Sequence, residues 1–129
     1  MSLRSPLGRV LGMGSAKDGT GHWWAQRVTA VALVPLTLWF VFSLLTLPGL
    51  DYDTVHMWAS LPMTGFLASL LVAVLAYHSY LGTNVIVEDY VTSTGMKITA
   101  LLLLRFAYVL VCGACIFAIL RVAFGFSRL

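Results

Sequence analysis

Charged residues are scarce in this sequence. Only 10% of the 129 residues are Asp, Glu, Lys or Arg, against 60% hydrophobic. A domain this small has too much surface to hide so much apolar content from water, which excludes an ordinary soluble domain. The mean hydropathy of +0.91 points to lipid as the solvent. Cysteine is scarce as well. Cys112 and Cys115 both fall inside an apolar run, which excludes a secreted disulfide framework. Their Cys-x-x-Cys spacing reads as small packing residues, because a thiolate is disfavoured in mid-membrane and no further ligand is near. The sequence has no Gly-rich phosphate loop, nucleophile triad, nucleic-acid patch or internal repeat. No apolar core of a signal peptide follows the first charges, since Gly, Ser and Lys continue to residue 21. The first apolar helix is therefore expected to direct insertion itself.

What the sequence does have is three long apolar runs, at about 24–47, 57–87 and 97–124. Each exceeds the ~20 residues needed to cross a hydrocarbon core of ~30 Å. Backbone polar groups in lipid must be paired within the segment, so all three are expected to be helices. The expected fold is an all-α integral membrane protein with three transmembrane helices, forming part of a multi-subunit bundle. An N-terminal segment over 1–22 precedes a membrane domain over 23–129. Pro48-Gly49 ends the first helix, and residues 88–97 connect the second to the third. Pro35 and Pro62 fall inside apolar runs and are expected to kink their helices.

The net charge of +3 comes mostly from the first 27 residues, where Arg4, Arg9, Lys17 and Arg27 oppose only Asp18. The 48–56 connection has no Lys or Arg, and the 88–97 connection has Lys97. The positive-inside rule then places the N-terminus and the 88–97 connection in the cytoplasm. Three crossings then put the C-terminus outside. Arg121 and Arg128 lie on the wrong side for this scheme, and the N-terminal bias outweighs them.

Few residues in these runs can do chemistry. His78 is an ionisable group within an apolar span, which is costly and marks a functional candidate. It reads either as an interfacial histidine bonding a neighbouring helix or as a metal ligand, haem iron being the metal best suited. A neutral imidazole is a good axial ligand and brings no charge into lipid. In a continuous helix His78, Gly82, Val85 and Asp89 share one face, and Gly82 would let a flat macrocycle approach the backbone. His56 lies 22 residues earlier, about 33 Å along a helix, so a six-coordinate iron would take its second ligand from another chain. Asp89 and Tyr90 read either as ordinary interfacial residues or as a quinone contact, with the hydroxyl donating to a carbonyl and the carboxylate relaying protons. Arg27 either snorkels to the surface or pairs with an anionic group there. Arg105, about two turns inside the third helix, either snorkels to the surface or reaches a phosphate headgroup, Glu88 or Asp89.

Two stretches, "HWWAQRVTAVALVPL" (22–36) and "HSYLGTNVIVEDYV" (78–91), carry a family resemblance. In the second, a histidine is followed by a glycine four residues on and by Asp-Tyr eleven and twelve on. In length, helix count and motif order the chain resembles the hydrophobic membrane-anchor D subunits of succinate dehydrogenase (respiratory complex II), the alphaproteobacterial type above all. The resemblance covers about residues 14–125. It implies that His78 is an axial ligand of haem b, shared with a cytochrome b-type partner chain (the family's C subunit). It implies that Tyr90 bonds ubiquinone with Asp89 beside it, and that Arg27 lies near the haem propionates and quinone pocket. FAD and iron–sulfur clusters would sit on separate flavoprotein and iron–sulfur subunits, and this chain would do no succinate chemistry. The alternatives are the anchor of a quinol:fumarate reductase and a haem-free scaffold or transporter subunit. Arg105 has no clear family counterpart, and the "TSTGMK" linker lacks the Lys-Pro some members show.

Overall fold

A computed structural model describes residues 16–125. Residues 1–15 of the expected N-terminal segment, with Arg4 and Arg9, lie outside the described residues, as does Arg128. Four helices account for the described chain: α1 (Ala16–Leu45), α2 (Tyr52–Ala59), α3 (Pro62–Tyr90) and α4 (Thr94–Ala123). Three stretches are long and apolar enough to cross a membrane, Thr20–Leu45, Pro62–Tyr90 and Thr94–Ala123. At about 12 Å, the eight-residue α2 is too short to cross.

Helix boundaries depart from the hydropathy pattern for local reasons. α1 begins at Ala16, because helical hydrogen bonding needs no apolar side chains and runs on past the apolar stretch. Residues 57–59 belong to α2 rather than to the second span. Asp51 caps α2: its carboxylate accepts from the Thr54 N–H at 3.1 Å and the Thr54 hydroxyl at 2.8 Å. Both bonds hold the Asp51 carboxyl below its ordinary value of 3.8. Pro62 opens α3 rather than kinking it. At the first helical position its missing N–H has no partner to lose and its fixed φ suits the turn. Glu88, Asp89 and Tyr90 form the last turn of α3, so the connection to α4 is only three residues, 91–93. The Val91 N–H and the Lys97 ammonium close that end, bonding the carbonyls of Val87 at 3.0 Å and Glu88 at 2.8 Å.

α3 is the central helix. It packs against α1 on one side and α4 on the other, and α1 and α4 do not meet among the described residues. α2 bridges α3 and α4 and is tied to α1 by Trp58, which stacks on Trp39 with ring centroids 6.3 Å apart. The buried residues, Thr64, Gly65, Leu71 and Leu81, all lie on α3. α3 and α4 approach closely at Gly65: a Cβ there would lie 2.8 Å from the Ala123 Cβ. Further along, the Thr83 hydroxyl and Tyr108 hydroxyl bond across the same pair at 2.9 Å. Large apolar side chains such as Val31, Phe42, Leu103 and Leu110 stand exposed along the outer helices. Three helices in an open row, with apolar faces outward, are stable in lipid and against other membrane helices.

Candidate functional site

His78 lies in the α1–α3 interface and is half-buried. Both ring nitrogens meet α1. Nδ1 is 2.8 Å from the Thr29 hydroxyl and Nε2 is 3.3 Å from the Gln26 side-chain amide nitrogen. Gln26 and Thr29 are three residues apart, so they stack on one face of α1 and grip opposite edges of the ring. The Thr29 hydroxyl also reaches back to the Ala25 carbonyl at 2.7 Å. The Gln26 Oε1 is buried without a hydrogen-bond partner, an uncommon and costly state for an amide oxygen. Gly82 follows one turn after His78. A Cβ there would lie 3.7 Å from the Gln26 Nε2, so Gly82 borders the same small polar pocket.

α3 continues unbroken to Tyr90, which keeps His78 and Asp89 on one face, about 16 Å apart along the axis. Asp89 and Tyr90 are exposed, Tyr90 at 82%, and the structure does not bring either into contact with His78. Arg27 is exposed, with its guanidinium 5.4 Å from the centre of the Trp23 ring. Trp23 in turn meets Trp24 edge to face at 5.2 Å, an aromatic shelf of the kind that sits at headgroup level. Arg105 lines a groove of about 420 Å³ between α3 and α4, beside the edge-on pair Tyr80 and Tyr108. Lys97, not Arg105, is the cation that reaches Glu88, and it bonds the backbone rather than the carboxylate. His56 packs on Tyr52 in α2. Cys112 and Cys115 are free thiols. Among the described residues no three His, Cys, Asp or Glu side chains gather to hold an ion.

Sequence reasoning missed Gln26 and Thr29 as partners of His78. Both stand in the "HWWAQRVTAVALVPL" stretch, but nothing in a sequence couples positions 49 and 52 residues apart. Their spacing of three on one helical face is the only local signal.

An open row of apolar helices, with an ionisable residue gripped at one helix contact, defines a multi-pass membrane protein. The chain belongs to the succinate dehydrogenase/fumarate reductase transmembrane subunit family, whose profile matches residues 1–121. The succinate dehydrogenase hydrophobic membrane anchor subunit of Rickettsia bellii is 31% identical over 91% of this chain and 94% of its own length. That of Paracoccus denitrificans is 30% identical over 97% and 96%. The succinate dehydrogenase membrane anchor subunit of Reclinomonas americana is 32% identical over 69% and 77%. No solved structure matches the chain.

Proposed function

We propose that this chain is the membrane anchor of a succinate:ubiquinone oxidoreductase in a bacterial inner membrane. In this reading it joins the flavoprotein, iron–sulfur and cytochrome b-type subunits at the cytoplasmic face, with its N-terminus cytoplasmic and its C-terminus periplasmic. His78 would hold a haem b from this chain, and the cytochrome b-type partner would supply the second ligand. Asp89, Tyr90 and Arg27 form this chain's share of the haem-edge and ubiquinone region.

The observation that carries the reading is the seat of His78. Its residues fit a haem ligand. The ring is held by Thr29 at one nitrogen, while the other faces a glutamine amide that is only half satisfied. A ligand at Nε2 costs Gln26 one long hydrogen bond and gives the side chain reason to turn outward. Gly82 adds no side chain to the ring's surroundings. A bound haem b supplies a one-electron carrier between the chains that hold it. The chain's own residues do the rest: α3 fixes the imidazole, and its last turn presents Asp89 and Tyr90 at headgroup depth. There the Tyr90 hydroxyl donates to a quinone carbonyl and the Asp89 carboxylate passes on a proton. The quinone takes two electrons and two protons, and the electrons come from succinate by way of FAD and iron–sulfur clusters on the partner subunits.

The family's description also covers fumarate reductase. The relatives' names, all of succinate dehydrogenase, favour the oxidising direction. The test of the ligand is the reduced-minus-oxidised spectrum of the purified complex. A b-type band that disappears in His78→Ala supports the reading. An unchanged band in that variant overturns His78 as the ligand, and a wild-type complex with no b-type band leaves the haem-free scaffold.

A further inference from the structure

We infer that Thr29 is a positioning residue that fixes the tautomer of His78, placing the proton on Nδ1 and leaving the Nε2 lone pair free for a metal. The inference deepens the haem-ligand reading of His78 and rests on it for its purpose, though not for its geometry.

The Thr29 hydroxyl has one proton and two lone pairs. It lies 2.7 Å from the Ala25 carbonyl and 3.1 Å from the Gln26 carbonyl, two acceptors that can only receive that proton. A hydroxyl bonded back to its own helix at this length has given its proton away. Toward His78 it is then an acceptor. With the proton donated to the Ala25 carbonyl, the 2.8 Å contact is Nδ1–H donating to Oγ1. A neutral imidazole carries one N–H, so Nε2 is left with a lone pair. The second contact agrees: the Gln26 amide nitrogen is a donor and stands 3.3 Å from Nε2. A lone pair is what it needs to meet there, and an Nε2–H would oppose it. The Gln26 amide can turn over to offer its oxygen to an Nε2–H instead, so the choice of tautomer rests on Thr29.

The consequence reaches the metal. Iron bonds the nitrogen that lacks a proton, and an acceptor on the other N–H makes the ring more electron-rich and fixes its plane. Threonine suits this place in lipid, because its hydroxyl is satisfied by its own helix while its second face serves the ring. Valine has the same shape and no acceptor. In Thr29→Val the two tautomers compete, and the ring is held only by Gln26. Thr29→Ser restores the acceptor.

The experiment uses the whole complex, with histidine labelled with nitrogen-15, in two preparations. The first comes from cells blocked in haem synthesis, with solid-state nitrogen spectra assigned to His78 by the signals lost in His78→Ala. The expected result is an Nδ1–H ring in the wild type and in Thr29→Ser, and a mixture or an Nε2–H ring in Thr29→Val. An Nε2–H ring in the wild type overturns the inference, whether or not any variant assembles. So does an unchanged Nδ1–H ring in Thr29→Val. The second preparation is haem-loaded, titrated potentiometrically at the b-type band. Thr29→Val is expected to raise the midpoint potential, because a less electron-rich ligand favours ferrous iron. It is also expected to weaken haem retention by about 10- to 100-fold, with both effects reversed in Thr29→Ser. A potential and retention equal to wild type in Thr29→Val overturn the link to the metal. If His78→Ala keeps its b-type band, the ligand reading fails by itself, and the nitrogen spectra still decide the role of Thr29.

Discussion

Adding one methyl group at Gly65 tests the packing of α3 against α4. A Cβ at that position would lie 2.8 Å from the Ala123 Cβ, where carbon atoms prefer about 3.5–4.0 Å. Both atoms are anchored directly to backbone, so no rotamer change relieves the clash. α3 and α4 must part by about 1 Å, at a cost of about 1–3 kcal/mol for overpacking. Alanine's better helix propensity offsets about 1 kcal/mol of this in an exposed helix, leaving a net loss of about 0–2 kcal/mol. The companion change Ala123→Gly removes the opposing methyl. A double-mutant cycle isolates the clash: Gly65→Ala is costly beside Ala123 and costs nothing in the Ala123→Gly background, giving a coupling of about 1–3 kcal/mol. The assay is unfolding of the detergent-purified complex in mixed micelles of rising SDS fraction. Gly95→Ala is the control, since nothing lies within 4 Å of a Cβ there. A coupling near zero, or an equal loss in Gly95→Ala, would refute the close approach of α3 and α4.

Three further outcomes follow from the same structure. Gly82→Ala meets only the Gln26 amide at 3.7 Å, an ordinary contact, so the complex is expected to assemble normally. A lower haem-to-protein ratio in that variant shows the macrocycle passing this backbone, and a wild-type ratio removes Gly82 from the site. Tyr90→Phe removes one hydrogen bond to the quinone, about 0.5–1.5 kcal/mol. Its apparent KM for ubiquinone should rise by about 2- to 12-fold, and unchanged steady-state kinetics count against the contact. The Asp51 carboxyl is held below 3.8 by its bonds to Thr54. A carboxyl lowered in the folded state contributes stability above its unfolded value, which is lost as pH falls through the folded one. Exchange of the Thr54 amide in Asp51→Asn should therefore lack the acid-range loss of protection seen in wild type, and identical acid profiles refute the cap's role.

The three spans were readable because lipid demands continuous apolar helices, and that demand marks every residue between Trp24 and Leu45, or between Ile98 and Ala123. Their ends were less readable. Pro62 looks like a kink when only the apolar run is considered, and like a helix start once the Asp51 cap has begun a separate short helix at Tyr52. Glu88, Asp89 and Tyr90 look like a loop because they are polar, yet they complete a helix whose last carbonyls are closed by Val91 and Lys97. His78 stood out as an ionisable residue in an apolar run, whereas its partners did not. Thr29 and Gln26 are unremarkable at the start of a helix, and only the packing of α1 on α3 brings them to the ring. Arg105 gained a place, beside Tyr80 and Tyr108, while Lys97 is the cation that reaches Glu88.

Everything proposed for His78, Asp89 and Tyr90 presupposes that this chain anchors a succinate-oxidising complex to the membrane. The most direct test is purification of the full-length chain, affinity-tagged, from membranes in mild detergent. A flavin-bearing subunit, an iron–sulfur protein and a second small membrane chain should arrive with it, and the preparation should reduce ubiquinone with succinate. A chain that purifies without flavin, while succinate-dependent ubiquinone reduction stays in the unbound fraction, would contradict the assignment.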